Sequence, residues 1–307
     1  MQIVLTAIVP VLIIMGLGLF LRRKSLRSAA FWAGLDQLVY FIFTPALFVS
    51  TISQTPLNSV PLGGLALSVT APIVVASGLI VLLQKPLRAT GPEMGSSIQG
   101  TIRINTYVGL IVANALGGTQ GMGLFSIAAA IVVPLVNIIS VVGFTVYGHN
   151  QGQLRLGRML LQILTNPMVL GCLFGLGLSL APFELPSFAA ATLELLGNAA
   201  LVTGTLSVGA ALRWDVDRHQ SGVIAVVSTL KLVLLPLAAA WIGISVGLTT
   251  LSLLMVILIT AIPPAPSSYV LAERMGGDSK LMASITGVQT VIAMVTLPIL
   301  LTIFQSF

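Results

Sequence analysis

The residues of this chain best suited to chemistry are those that sit awkwardly in apolar surroundings. Pro263, Pro264 and Pro266 fall within Ile262-Pro263-Pro264-Ala265-Pro266-Ser267-Ser268-Tyr269. Each proline removes a backbone donor and clashes with the preceding turn, so this spacing predicts a break in any helix that contains it. Arg103-Ile104-Asn105-Thr106-Tyr107-Val108-Gly109 is the most polar stretch of a second apolar run, and Lys231 stands alone inside a third. An interrupted helix presents free N–H groups and the positive end of a dipole to whatever lies in the gap, which favours anions. The chemistry expected is therefore recognition of a negatively charged ligand. Arg103, Asn105, Thr106, Tyr107, Lys231, Pro264, Pro266, Ser267 and Ser268 are the candidate ligand contacts, and Thr44, Pro45, Gly109 and Pro263 the candidate cavity-lining or hinge positions.

Each of these has a blander reading. A proline run can be a packed kink, and Asn105 and Thr106 suit hydrogen bonding between helices as well as ligand contact. Arg103 is placed to carry its charge back to the interface, and Lys231 to pair with Asp36 or to cap exposed carbonyls. Asn166-Pro167 reads as a turn into a helix, and His149 and His219 as solvated loop residues. No glycine loop with a phosphate-binding lysine, no zinc-spaced His/Glu cluster and no Gly-x-Ser-x-Gly elbow occurs, so neither an ATP-driven engine nor a hydrolase is expected. Cys172 has no second cysteine to pair with. No cofactor and no metal site are expected.

The elements that must position these groups follow from composition. Of 307 residues, 56% are hydrophobic and 7% charged, against about a quarter charged in soluble domains. The mean hydropathy is +1.07, and 30 glycines suit helices that approach closely in lipid. The net charge of +6 could suggest nucleic acid, but its basic residues are scattered between apolar runs, which fits membrane topology and not nucleic-acid binding. About twenty apolar residues cross a bilayer, which places spans near 3–21, 32–53, 61–84, 97–117, 121–147, 158–181, 189–213, 221–245, 249–273 and 280–304. After the odd-numbered spans come Arg22, Arg23, Lys24, Arg27; Lys85, Arg88; Arg155, Arg158; Arg213, Arg218; and Arg274, Lys280. The loops after the even-numbered spans hold no Lys or Arg. The positive-inside rule then puts both termini on the outer face of a bacterial-type inner membrane. The first span lacks a basic leader and is followed by its charges, so it reads as an anchor and not as a cleaved signal.

The ten expected spans divide into two halves. Ile111-Val112-Ala113-Asn114-Ala115-Leu116-Gly117-Gly118 resembles Val270-Leu271-Ala272-Glu273-Arg274-Met275-Gly276-Gly277 five spans later. An odd number of spans per half makes the second half inverted in the membrane, and inverted repeats are what alternating access exploits. The expected fold is all-α and integral to the membrane: ten helices as inverted five-helix repeats, 1–152 and 153–307. Scaffold and transport subdomains would each draw on both repeats, with helices four and nine broken and crossing. No acid is expected at the depth of Lys231, which disfavours a proton relay and favours facilitated or potential-driven movement.

Tyr40 to Phe48 (YFIFTPALF), Asn105 to Leu110 (NTYVGL), Asn166-Pro167, Lys231 to Pro236 (KLVLLP) and Pro263 to Asp278 (PPAPSSYVLAERMGGD) resemble the auxin efflux carrier family. That family is related in fold to bile acid sodium symporters. The resemblance runs from the first span to the last and implies crossing fourth and ninth helices. It also implies small carboxylate substrates: auxin-like, malonate-like or malate-like acids. By motif match Asn105 takes the crossover asparagine position, and Pro264 and Pro266 the crossover in span nine. The family often has Gly-Leu-Pro where this chain has Gly109-Leu110-Ile111, so the break in span four is expected to rest on Asn105 and Gly109. The expected partners are the substrate and the lipid bilayer, with a homodimer one assembly open to the chain. A sodium-coupled symporter, a channel and a membrane sensor are the competing functions.

Overall fold

The computed structural model describes residues 2–55, 60–149, 157, 161, 164–181, 185–212, 220–265 and 267–305. Among these residues every regular element is helical. Helix α1 is Gln2–Lys24, and α2, Ala29–Leu38, continues through a π-helical turn, Val39–Phe43, into α3, Thr44–Ser53. Then come α4, Leu62–Leu82, a short α5, Gln84–Leu87, and α6, Gly91–Ile102. Helix α7 is Thr106–Tyr147, α8 Pro167–Leu180 and α9 Ser187–Ala210. Helix α10, Ser221–Thr229, passes through a second π-helical turn, Leu230–Leu234, into α11, Leu235–Ser245. The chain ends with α12, Thr250–Ala261, α13, Ser267–Arg274, and α14, Ser279–Phe304. Six helical stretches among the described residues are long and apolar enough to cross a membrane.

The two π-helical turns have one cause. Each is followed, after a single residue, by a proline: Pro45 in the first case and Pro236 in the second. The residue before each proline closes a wide bond, Thr44 N–H to the Val39 carbonyl and Leu235 N–H to the Leu230 carbonyl. A proline ring clashes with the carbonyl four residues back, and the wider turn relieves that clash without ending the helix.

The chain divides into two compact units. The first comprises Met1–Leu62, Thr106–Ala130 and Leu160–Ala211. Its helices approach closely over glycines: an added Cβ at Gly171 would stand 2.9 Å from Pro45, and one at Gly175 3.1 Å from the Phe48 carbonyl. Small residues of this kind let van der Waals contact stand in for the hydrophobic effect, which lipid does not supply between helices. The second unit comprises Gly63–Asn105, Ile131–Met159 and Leu212–Phe307. Phe144, Ala272 and Met282 form a buried cluster in it, flanked by Tyr269, Leu271 and Met275.

Two sequence expectations change. Span four begins at Gly91, not near residue 97, because Thr90 and Glu93 form a capping box that starts α6. Gly109 is not part of the break. It lies inside α7, where an added Cβ would collide with the Phe125 ring, so it is a packing glycine. Gly117 and Gly118 are non-helical and divide Thr106–Tyr147 into two helices, between the expected spans four and five; Gly118 has φ +55° and ψ −144°, a conformation that side chains exclude.

Candidate functional site

The second unit supplies a ruler for depth. At one end Gln220 Nε2 donates to Glu93 Oε1 at 2.9 Å and to Asp278 Oδ2 at 2.8 Å. Ser96 Oγ donates to the Asp278 carbonyl at 2.8 Å, and Asp278 N–H to the Pro92 carbonyl at 3.1 Å. Asp278 also caps α14 through Leu281 N–H. The N-terminal ends of α6, α10 and α14 are thereby tied together. Further in, a Cβ on Gly100 would lie 2.8 Å from Ile285 Cγ2 and 3.3 Å from Val227 Cγ1, so the three helices run parallel and keep level. At 1.5 Å per residue, Lys231 and Gln289 both lie about 16 Å from the tied end, near the middle of a bilayer.

The interruptions fall at this depth. Helix α6 stops at Ile102, and Arg103, Ile104 and Asn105 are non-helical before α7 begins at Thr106. With the helix starting at Gly91, Arg103 lies about 18 Å in from its start. It does not carry its charge to the interface: its Nη1 donates to Asn137 Oδ1 at 3.0 Å. Asn105 is buried. In the other interrupted span α12 ends at Ala261, with Ile262 N–H bonded to the Leu258 carbonyl. Pro263 and Pro264 follow without N–H groups, so Ile259 and Thr260 lose their helical donors. Pro263 and Pro264 are buried, Pro266 lies outside the described residues, and Ser267 opens α13. Because α13 runs back to the tied end, its N-terminus points into the mid-depth layer, where Ser268 is fully buried.

Electrostatics makes this layer unusual. The Lys231 side chain is 0% exposed, and its ammonium has no hydrogen-bond partner, Asp36 included. About one turn nearer the tied end, Gln99 is also 0% exposed with both amide atoms unpartnered. Gln289 donates from Nε2 to the Gly100 carbonyl at 3.2 Å but leaves Oε1 unpartnered, and Ser228 Oγ and Ser268 Oγ are likewise unpartnered. A buried polar group without a partner costs about 1 to 3 kcal/mol. Several in one layer, with one cation among them, are suited to receiving a polar anion.

The remaining expected residues belong to the first unit. Thr106 and Tyr107 begin α7, and the Tyr107 ring covers Gly204, where an added Cβ would stand 2.7 Å from Cγ. Thr44 is beside Tyr107 but closes no hydrogen bond of normal geometry with it. Pro45 packs on Gly171. Asn166 caps α8 through Met168 N–H at 2.9 Å, as a turn into a helix should.

Gln99, Gln289 and Asn137 were not among the expected residues. They are single neutral amides in apolar helices and carry no signature of their own. The Thr90-Gly91-Pro92-Glu93 capping box was the available signal for the first, since it sets the start of α6 and hence the depth of Gln99. Among the described residues no group of three or more His, Cys, Asp or Glu is placed to hold a metal ion.

A sequence model of the family described as membrane transport protein matches residues 3–301. No curated protein is significantly similar to the chain.

Proposed function

Because this chain belongs to the membrane transport protein family, which is the auxin efflux carrier family, we propose that it is a secondary carrier of small organic carboxylates that works by alternating access. It is a multi-pass membrane protein of a transporter family and not an enzyme. In this reading its ten spans form two inverted five-helix repeats, 1–152 and 153–307, with spans four and nine interrupted at mid-membrane and both termini on the outer face.

The observation that carries the reading is Lys231, a fully buried ammonium with no partner at the depth where both spans lose their helical hydrogen bonds. A basic side chain at the membrane centre costs roughly 2.5 to 3.5 kcal/mol on insertion scales. A carboxylate beside it offsets that cost, and the positive end of the α13 dipole adds to the attraction. In this reading the buried Asn105 and Ser268 face the ligand, and Arg103, bonded to Asn137, contributes positive potential.

Uptake of radiolabelled carboxylates into proteoliposomes tests the proposal. The expected result is saturable flux, with affinity reduced at least tenfold in Lys231→Ala and less in Arg103→Ala. Single-channel currents, or carboxylate flux that neither variant alters, would overturn it. Repeating the assay with and without a sodium gradient separates a uniporter from a sodium-coupled symporter.

A further inference from the structure

The first unit holds polar groups that the ligand site does not use. Asp36, Tyr40 and Thr44 follow one another at intervals of four along α2, the π-helical turn and α3. In a regular helix such residues drift round the axis by about 40° at each step. The wider turn at Val39–Phe43 reduces that drift, so the three share one face. Helix α9 runs antiparallel beside them: a Cβ on Gly197 would stand 3.1 Å from Leu47 Cα, and Ser207, further along α9, meets Asp36.

Tyr107 closes the group. Its ring covers Gly204, which lies one turn from Ser207 on the same side of α9. Its hydroxyl is beside Thr44 and within electrostatic reach of Asp36 and Tyr40. All five residues belong to the first unit. Thr44 Oγ1 and Ser207 Oγ are buried without hydrogen-bond partners. Asp36 itself is exposed, and no cation among the described residues acts on it. Glu194, the other acid of α9, lies about 20 Å along the helix from Ser207.

A carboxylate inside a span with no counter-charge is costly, and taking up a proton removes the charge. A metal cation is a poorer fit, because hard cations collect several carboxylate and carbonyl oxygens, and here one carboxylate stands among hydroxyls. Hydroxyls suit a proton, since each can donate to a carboxylate or, by turning, accept from a carboxylic acid.

We propose that Asp36 carries a coupling proton, and that Ser207 and Tyr107 are positioning residues that respond to whether it is bound. This rests on the carrier reading and adds the ion that drives it. The lack of an acid at the depth of Lys231 argues against a relay through the ligand site, but Asp36 works from the other unit. Its carboxylate takes H⁺ from water on one face of the membrane and returns it to water on the other. One O–H bond forms and breaks, and nothing is oxidised or reduced. While Asp36 is charged, the Ser207 and Tyr107 hydroxyls turn toward it; once it is neutral, Tyr107 is released to Thr44. Tyr107 sits in the first turn of α7, directly after the interruption at Arg103, Ile104 and Asn105, so the change is delivered to the break.

The test is uptake of radiolabelled malate and malonate into proteoliposomes at zero membrane potential, with entrapped pyranine reporting the internal pH. An inward gradient of one pH unit should raise the internal concentration about tenfold above the external one, and an inward gradient of either acid should acidify the lumen. Asp36→Asn, which resembles the protonated carboxyl, should keep at least half of the wild-type counterflow and lose both proton effects. Should Asp36→Asn fail to fold, Asp36→Glu carries the test: it keeps the carboxyl on a longer stem and should retain proton-driven uptake with a changed pH profile. Accumulation indifferent to the proton gradient, proton effects that persist in Asp36→Asn, or an unchanged profile in Asp36→Glu overturns the coupling assignment and leaves the carrier reading standing. Accumulation driven by a sodium gradient and lost in Asp36→Asn also overturns it, and makes Asp36 a metal-cation ligand. No saturable flux of either acid overturns both.

Discussion

At the residue scale the decisive feature is a charge kept where it is expensive. Lys231 has neither solvent nor partner, so replacing it with an apolar side chain of similar length removes a cost without opening a cavity. Lys231→Met should therefore raise thermal stability, by about 1 to 3 kcal/mol, while carboxylate binding is lost. A structural lysine would give the opposite stability change. Gly109→Ala makes a complementary case: crowding Phe125 should lower stability by about 1 to 3 kcal/mol, and carboxylate affinity in the protein that remains folded should be unchanged. A large loss of affinity would restore Gly109 to the site. Lys231 and Arg103 were legible in the sequence because a cation in an apolar run needs a reason to be there. The partner of Arg103 was not, since Asn137 is 34 residues away and only packing joins them. Nor was the role of Gly109, because a glycine that admits a neighbour's ring and one that bends a helix look alike in sequence.

At the element scale, proline chemistry explains most of what departs from a regular helix. A single proline after Thr44 or Leu235 widens one turn and the helix continues; consecutive Pro263 and Pro264 strip two neighbouring carbonyls of their donors and the helix stops. The double variant Pro263→Ala, Pro264→Ala restores both donors. It should raise thermal stability and slow carboxylate flux at least tenfold, as measured by proteoliposome uptake. Unchanged flux would mean that the break is packing alone. The triple-proline motif made this interruption legible in advance. The other was only half legible: Asn105 marked it, but the helix resumes at Thr106, and the start of α6 was hidden because Thr90 to Ser97 is rich in polar residues, glycine and proline and resembles a loop more than a span.

At the scale of the whole molecule, hydropathy and charge alternation yielded an all-helical membrane protein before any motif was read, because lipid leaves so few alternatives to the helix. The division into two discontinuous units was less accessible, since it depends on which distant segments pack together. The proposed topology is open to direct labelling. In a Cys172→Ala background, a membrane-impermeant maleimide applied to intact cells should modify Gln305→Cys and spare Lys85→Cys; the reverse pattern would invert the topology. The account as a whole depends on an anion meeting Lys231 inside the membrane. The most direct measurement is solid-state NMR recoupling between a ¹³C-carboxylate ligand and ¹⁵N-labelled lysine side chains in reconstituted protein, with Lys231 assigned by its absence in Lys231→Arg. Contact at hydrogen-bonding range, about 2.7 to 3.2 Å, from the carboxylate to Lys231 Nζ is the predicted result. Saturating binding with no dipolar contact to Lys231 would contradict it.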